Sequence, residues 1–322
     1  MAIKVIQTQG GSTVQDLGRP GYQRYGVPPS GAMDWFAYRA ANILVGNPAE
    51  AAAVEAGLAD HTYQFTEAGL IAVTGLGFDL WVQGQPLPLW TALFMQAGWT
   101  IELRKISGGS WAYLAVAGGF ETAPILGSRS AYLRSGFGGL AGRSLETGDV
   151  LPTGPMPRAP LTLAGRMIRA AQRPAYSQSP TLDVILGPQA EAFTPEGIET
   201  FLSAAYSVSA VSDRMGYRLE GPAIAHQAGA DIISDGLALG SIQVPANGQP
   251  LVMMSDRPTT GGYPKIATLA TADVPVLAQC RPGASQVRFR VVSVQAAQAH
   301  YRQLMYTLNT SVQMPEPDWS GL

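Results

Sequence analysis

The sequence predicts a mainly β protein with a few short helices, and three observations predict it. Turn-forming residues are abundant: 37 glycines and 24 prolines among 322 residues, roughly one residue in five, where about 12% is usual. At the same time 46% of residues are hydrophobic, so the chain has a core to build and is not a disordered, turn-rich polymer. Finally, the apolar residues fall in short runs bounded by Gly, Pro or polar residues, which is how strands joined by turns are spelled.

Taken in order, strands are expected at 3–7, 71–74, 111–117, 182–186, 206–211 and 287–291. The last alternates most clearly: Val287, Phe289 and Val291 share one face, Arg288 and Arg290 the other. Helices are few. Over 34–45 the apolar Phe36, Ala37, Ala40, Ala41 and Leu44 recur at helical spacing, and Gly46-Asn47-Pro48 stops the run. Thr194-Pro195-Glu196 has the form of an N-cap, an N1 proline and an early acid, which opens a helix to about residue 202. A C-terminal helix is expected over 295–308, and an irregular tail over 311–322. The stretch 151–180 holds Pro152, Pro155, Pro157, Pro160, Pro174 and Pro180. It is expected to be a linker between an N-terminal β-rich domain, 1–150, and a C-terminal domain, 181–310.

A net charge of -2 gives no overall positive field for nucleic acid or an anionic membrane. Only 14% of residues are charged, against about 25% in soluble domains. Either the fold is compact and loop-rich, or a partner covers much of the surface. A lone cysteine, Cys280, makes no internal disulfide and is expected as a small buried hydrophobe. No signal peptide and no membrane span are read, so a cytoplasmic protein is expected.

Several chemistries lack their motifs. There is no P-loop. Gly136-Phe-Gly138-Gly139-Leu-Ala-Gly142 does not fit a dinucleotide loop, and Gly108-Gly109-Ser110-Trp111 leads into a strand, not a nucleophile elbow. His61, His226 and His300 are isolated and there is no second cysteine, so no metal site is expected. No Met-Lys-Met carrier segment is present, so any biotin must arrive on another chain.

Three segments are dense in special residues. The first, 15–34, alternates glycine and proline around Asp16, Arg19, Tyr22 and Asp34. It describes a stiff loop that either holds polar groups for a ligand or pairs Asp16 with Arg19 in a structural turn. The second is Ser212-Asp213-Arg214-Met215-Gly216-Tyr217-Arg218-Leu219-Glu220-Gly221. Arg214 and Arg218, four apart, clamp a carboxylate or phosphate if the segment is a strand; the alternative is a solvated Arg218–Glu220 pair. The third runs from Gln243 through Asp256, Thr259, Thr260, Gly261, Gly262 and Tyr263 to Lys265, one of three lysines in the chain. The Thr-Thr-Gly-Gly run offers hydroxyls and N–H groups as an anion or oxyanion cradle; the alternative is a hairpin with Lys265 in solvent. Asp16-Leu-Gly-Arg19-Pro-Gly-Tyr22 also echoes Asp213-Arg-Met-Gly-Tyr217 weakly.

These segments carry a resemblance. Gln15 to Tyr22, Ser30-Gly-Ala-Met-Asp34, Ala40-Ala-Asn42 and Leu44-Val-Gly-Asn47 resemble the opening of the allophanate hydrolase subunit 2 family, also called biotin-dependent carboxyltransferase or the 5-oxoprolinase C subunit family. Arg214 to Gly221, Gly240 to Pro245, Asp256 to Ile266 and Ala278 to Gly283 continue it in order. Two departures stand out: Ser234-Asp235-Gly236 in place of Ser-Glu-Gly, and Ala284-Ser285 in place of Gly-Asp. The resemblance implies cyclophilin-like β-barrel folds. It also implies work with two companions, a kinase-inhibitor-like B subunit and an A subunit, which together form an ATP-dependent (with Mg) opener of 5-oxo-L-proline. Two alternatives come with it: the carboxyltransferase part of a biotin-dependent urea or amide carboxylase, and a non-enzymatic binder of a kinase-inhibitor-like protein. From the charge and donors that lactam opening needs, Lys265, Asp256 and Arg214 on the matching segments are expected in catalysis. Arg218, Tyr217, Thr259, Thr260, Gly261, Gly262, Tyr263, Gln243, Asp16 and Arg19 are placed in substrate binding.

Overall fold

A computed structural model describes residues 2–57, 59–156 and 160–314. The expected irregular tail lies outside those residues from 315 onward, as does Pro157. The N-terminal half makes two antiparallel sheets. One runs in the order Val150–Pro152, Ala2–Thr8, His61–Phe65, Thr100–Lys105, Phe78–Val82, Gln85–Leu87. The other runs Ser12–Gln15, Ala53–Gly57, Trp111–Val116, Gly69–Gly75, Ala92–Met95. The C-terminal half closes a seven-strand barrel, in the order Thr181–Leu186, Lys265–Leu269, Ser241–Gln243, Leu251–Met253, Gly216–Glu220, Tyr206–Val208, Gln286–Val291. Closure leaves no free strand edge there. A two-stranded ribbon, Asp235–Gly236 with Thr260–Gly261, stands beside it.

Two cores follow from the period of two along buried strands. Strand Trp111–Val116 is buried along its whole length. Its Ala112, Leu114 and Val116 enter the core between the two sheets, with Val5, Tyr63, Phe65, Ile71 and Leu103. Its Trp111, Tyr113 and Ala115 enter a second core shared by the first helix and the barrel, with Phe36, Tyr217, Val252 and Phe289. One strand therefore has a hydrophobic environment on both faces, and the N-terminal sandwich and the barrel share a core.

The helices form where their end signals sit. Helix α1, Trp35–Leu44, is capped by Asp34, whose side chain accepts from the Ala37 N–H. Helix α2, Pro195–Ser203, is capped by Thr194 with proline in its first turn. Helix α3, Val274–Gln279, carries no amphipathic signal because all six residues are buried; the sequence did not predict it. Helix α4, Val294–Thr310, is capped by Ser293. None of the described helices is long and apolar enough to cross a membrane.

Two strand expectations need adjusting. The strand expected over 206–211 stops at Val208, because the chain turns at Ser209–Ser212 (Ser212 N–H to Ser209 C=O, 3.0 Å). In the Arg-alternating strand Val287 and Phe289 are buried, but Val291 is exposed at the strand end. The proline-rich stretch is laid against the N-terminal sandwich: Ile168 is buried and its N–H donates to Trp90 C=O, and Met167 bridges Thr91 and Gln313.

Candidate functional site

The turn Asp213–Met215, just before strand Gly216–Glu220, organises the site. Asp213 Oδ1 accepts the N–H of Met215 (2.8 Å) and of Gly216 (3.2 Å). Asp16 does the same in the first segment, accepting the Gly18 N–H at 2.7 Å. Both aspartates are thus turn-makers of the kind that bond their own backbone two residues on, which accounts locally for the weak echo between the two segments.

Arg214 points from this turn into the junction of sandwich and barrel. Its Nε and Nη2 donate to the two oxygens of Asp256 (2.9 and 3.1 Å), its Nη1 donates to Glu55, and its Nη2 also reaches Gly31 C=O (2.8 Å). Glu55 is fully buried and stands directly opposite Tyr113 across the sheet; the Tyr113 hydroxyl donates to it at 2.8 Å. Burial alone would depress Arg214, but Asp256 and Glu55 outweigh it and hold its pKa above the ordinary value. The Asp34 N–H donates to the same Tyr113 oxygen (2.7 Å), and Asp34 Oδ2 accepts from Tyr176 (2.8 Å) and Gln279 (2.9 Å). The chain Asp256–Arg214–Glu55–Tyr113–Asp34 is a buried polar brace between the two halves of the molecule. Burial lifts the Asp34 carboxyl to about 6.

The first segment supplies one end of this brace as a closed loop. Arg19 N–H donates to Pro29 C=O and Ala32 N–H to Asp16 C=O, pinning its base. Gly31, at φ +95°, could not carry a side chain, since a Cβ would lie 2.9 Å from the Leu17 carbonyl.

In front of the brace lies a cavity of about 880 Å³, walled by both halves of the chain. Arg214, Asp256 and Tyr217 line it, with Trp111, Ser110 and three further cations, Lys105, Arg134 and Arg281. Desolvation, with Arg281 nearby, pushes Lys105 down to about 8. On the other side of the Asp213–Met215 turn is a cavity of about 220 Å³. It is made by the barrel and ribbon, and lined by Arg218, Gln243, Thr260, Gly261, Gly262 and Tyr263.

The site residues expected from the sequence are therefore divided. Arg214, Tyr217 and Asp256 reach the large cavity, although the Tyr217 hydroxyl donates to Ala278 C=O (2.8 Å). Arg218, Gln243, Thr260, Gly261, Gly262 and Tyr263 reach the small one. Arg214 and Arg218 do not act as one clamp: the first is held by carboxylates and the second is exposed beside the other cavity. Lys265 lines neither; it is buried, with Nζ 2.9 Å from Asp235, and ties the barrel to the ribbon. Thr259 lines neither, and its carbonyl accepts from Leu237 N–H. Asp16 and Arg19 also lie outside both. Asp16 accepts from Ser128, Arg129 N–H and Ser130, while Arg19 is buried over the Phe137 ring and donates to Ser130 C=O.

Residues 25–291 match the family model described as carboxyltransferase domain, subdomain A and B. This chain belongs to that family. Among its relatives in the carboxyltransferase domain family is the C subunit of 5-oxoprolinase from Escherichia coli (strain K12), 37% identical over 95% of this chain and 99% of that one. The protein of the same name from Haemophilus influenzae is 35% identical over 92% of this chain and 93% of that one. Urea amidolyase of Lachancea kluyveri is 32% identical over 98% of this chain, but that match is 18% of the larger protein. The crystal structure of the K. lactis urea amidolyase superposes with a TM-score of 0.88 at 27% identity; 98% of this chain covers 20% of that one. The chain thus spans about a fifth of that protein.

Within this carboxyltransferase domain, sequence reasoning missed Glu55, Lys105, Arg134 and Arg281. Lys105 was visible as one of three lysines, and Arg281 sits in the Ala278–Gly283 stretch that carried the resemblance. Glu55 had no signal beyond being an acid inside an apolar run.

Proposed function

We propose that this chain is the C subunit of an ATP-dependent 5-oxoprolinase and holds the lactam in the large cavity. The observation that carries this reading is the cavity itself. It is large enough for a small amide, and has apolar walls beside a cluster of cations at the junction of the two halves. Matches of 35–37% identity over nearly the full length of two proteins named as the C subunit of 5-oxoprolinase support the same reading.

A lactam is a stable amide, and activation of its oxygen opens a route to hydrolysis. The γ-phosphoryl group passes from ATP to the lactam oxygen, leaving ADP, and water adds at the activated carbon. The C–N bond then breaks as nitrogen takes a proton, which leaves an acyl phosphate. A second water releases phosphate from it and completes the carboxylate. Such a sequence needs fixed positive charge near the oxygens that become negative. Arg214, its charge matched by Glu55 and Asp256, offers a hydrogen-bond donor whose orientation those partners fix. Asp256, held by two bonds to the Arg214 guanidinium, lines the cavity wall, and in this reading it orients the attacking water. ATP with its magnesium, and any biotin, are assigned to the complex. Among the described residues no three His, Cys, Asp or Glu side chains stand close enough to share an ion.

The test is co-expression with the A- and B-type companions, followed by measurement of glutamate and ADP formed from 5-oxo-L-proline and ATP. Turnover that needs all three chains is the expected result. A well-formed complex that leaves 5-oxo-L-proline untouched overturns this reading. Carboxyl transfer to urea is favoured instead if a biotinylated chain co-purifies, as the likeness to urea amidolyases makes reasonable.

A further inference from the structure

The cations of the large cavity are not alike. Arg214 is matched by Glu55 and Asp256. Lys105, Arg134 and Arg281 have no carboxylate partner among the described residues. Lys105, at the end of strand Thr100–Lys105, donates from Nζ to Gly109 C=O (2.8 Å) and lies 4.3 Å from the centre of the Phe78 ring. Arg134, in the turn Leu133–Ser135, donates to the Met215 sulfur, at 3.2 Å, as its one side-chain partner among the described residues. The Arg281 guanidinium, just after α3, has no hydrogen-bond partner among the described residues, although its backbone N–H is bonded to Gln178 and Ser285. The two carboxylates of the wall are already engaged, Asp256 by Arg214 and Asp213 by its own turn. A chain of net charge -2 thus gathers in one concavity three cations without an ion-pair partner among the described residues, from three separate stretches of sequence. Like charges brought together in a partly desolvated wall cost free energy unless an anion joins them.

We propose that Lys105 and Arg281 form a subsite of the large cavity that takes the carboxylate of a small amide substrate. The assignment rests on the 5-oxoprolinase reading in naming 5-oxo-L-proline as the occupant. Arg281 offers a planar fork and Lys105 a point charge, so together they hold one carboxylate by charge-assisted hydrogen bonds. The apolar neighbours Ile106, Trp111 and Pro282 cover the ring carbons. The lactam end is left facing Arg214 and Asp256. An anion between Lys105 and Arg281 also relieves their repulsion, so binding draws a proton onto Lys105 near pH 8.

The experiment is titration calorimetry of the full chain at pH 7 and 8 with four probes: 5-oxo-L-proline; 2-pyrrolidinone, the same lactam without a carboxylate; succinamate, an open-chain amide with one; and inorganic phosphate. Lys105→Met and Arg281→Gln are each expected to weaken 5-oxo-L-proline about tenfold, and to leave 2-pyrrolidinone within about twofold. Lys105→Arg keeps the affinity but abolishes proton uptake at pH 8, read from the buffer dependence of the enthalpy. Equal losses for both lactams, or no loss, overturn the subsite. So does binding of phosphate, but not of 5-oxo-L-proline, that depends on Lys105 and Arg281, and so does a chain that binds none of the probes. Lys105-dependent binding of succinamate, with no turnover of 5-oxo-L-proline by the assembled complex, removes the 5-oxoprolinase reading and leaves the subsite standing. Thermal melts of Lys105→Arg and Lys105→Met separate lost binding from lost folding.

Discussion

The large and small cavities share the Asp213–Met215 turn but are built by opposite means. The small one is assembled by the barrel and its ribbon from residues within 213–263, with glycines that offer backbone N–H groups and the hydroxyl of Thr260. The large one takes its wall from the sandwich, the 132–134 turn, the 210–217 turn and the end of α3, and its chemistry is charge. A local cavity needs turn chemistry; a cavity between two halves of a molecule needs something to fix those halves against each other. The brace Asp256–Arg214–Glu55–Tyr113 does that, and the remaining cations are left free for a ligand.

The strongest way to break this contrast is to exchange roles between the cations. Arg214→Met leaves Glu55 buried without its counter-ion, and a loss of about 3–5 kcal/mol in unfolding free energy is expected. Lys105→Met removes a desolvated charge that has no acidic partner among the described residues, so stability stays level or rises. Urea unfolding of the two variants decides it. Equal destabilisation by both would mean that Lys105 belongs to the brace.

The brace also sets a pH dependence of unusual sign. Burial lifts Asp34 from 3.8 to about 6, so the folded state holds this proton more tightly than the unfolded chain. Between those values the folded chain binds more protons, and stability falls as pH rises; above about 6 the loss is complete. The change approaches about 3 kcal/mol. Asp34→Asn removes the titration, so the wild-type minus variant difference in unfolding free energy should shrink from pH 4 to pH 7. A difference that does not change with pH would place the titration elsewhere.

The contrast between the cavities also explains what the sequence could say. Helix α1 was legible from its apolar spacing and its Gly46 stop, and α2 from Thr194-Pro195, because those signals are local. Helix α3 was not, since a helix buried on every side has no period to read. The turn residues of the small cavity were legible for the same local reason, as a Thr-Thr-Gly-Gly run. The subsite of the large cavity was not: Lys105 and Arg281 are 176 positions apart in the sequence, and only the shared core brings them to one wall. Arg214 was singled out as a ligand clamp, yet its partner Glu55, which gives it a bracing role, lies 159 residues away.

The small cavity is tested through its anchor. Lys265 holds Asp235 and with it the ribbon strand opposite Thr260 and Gly261. Lys265→Ala frees the ribbon, and if the small cavity takes part in the reaction the activity of the assembled complex falls with the complex intact. Asp235→Glu, with Lys265 in place, should keep the contact through a longer arm and retain most activity. Wild-type turnover by Lys265→Ala would take the small cavity out of the chemistry.

The mildest test sharpens the contrast within the large cavity. Asp60 accepts the Lys105 backbone N–H; desolvation, and then the facing Arg281, push Lys105 down to about 8. Its charge is present below that pH and lost above it. Affinity for a carboxylate ligand should therefore fall by up to about tenfold from pH 7 to pH 9. Lys105→Arg keeps its charge throughout and should flatten that profile. Arg214 carries a pKa held far above this range by Asp256 and Glu55, so it contributes nothing to the slope. An unchanged profile in Lys105→Arg would place the titrating group elsewhere and leave Lys105 a bystander in the cavity wall.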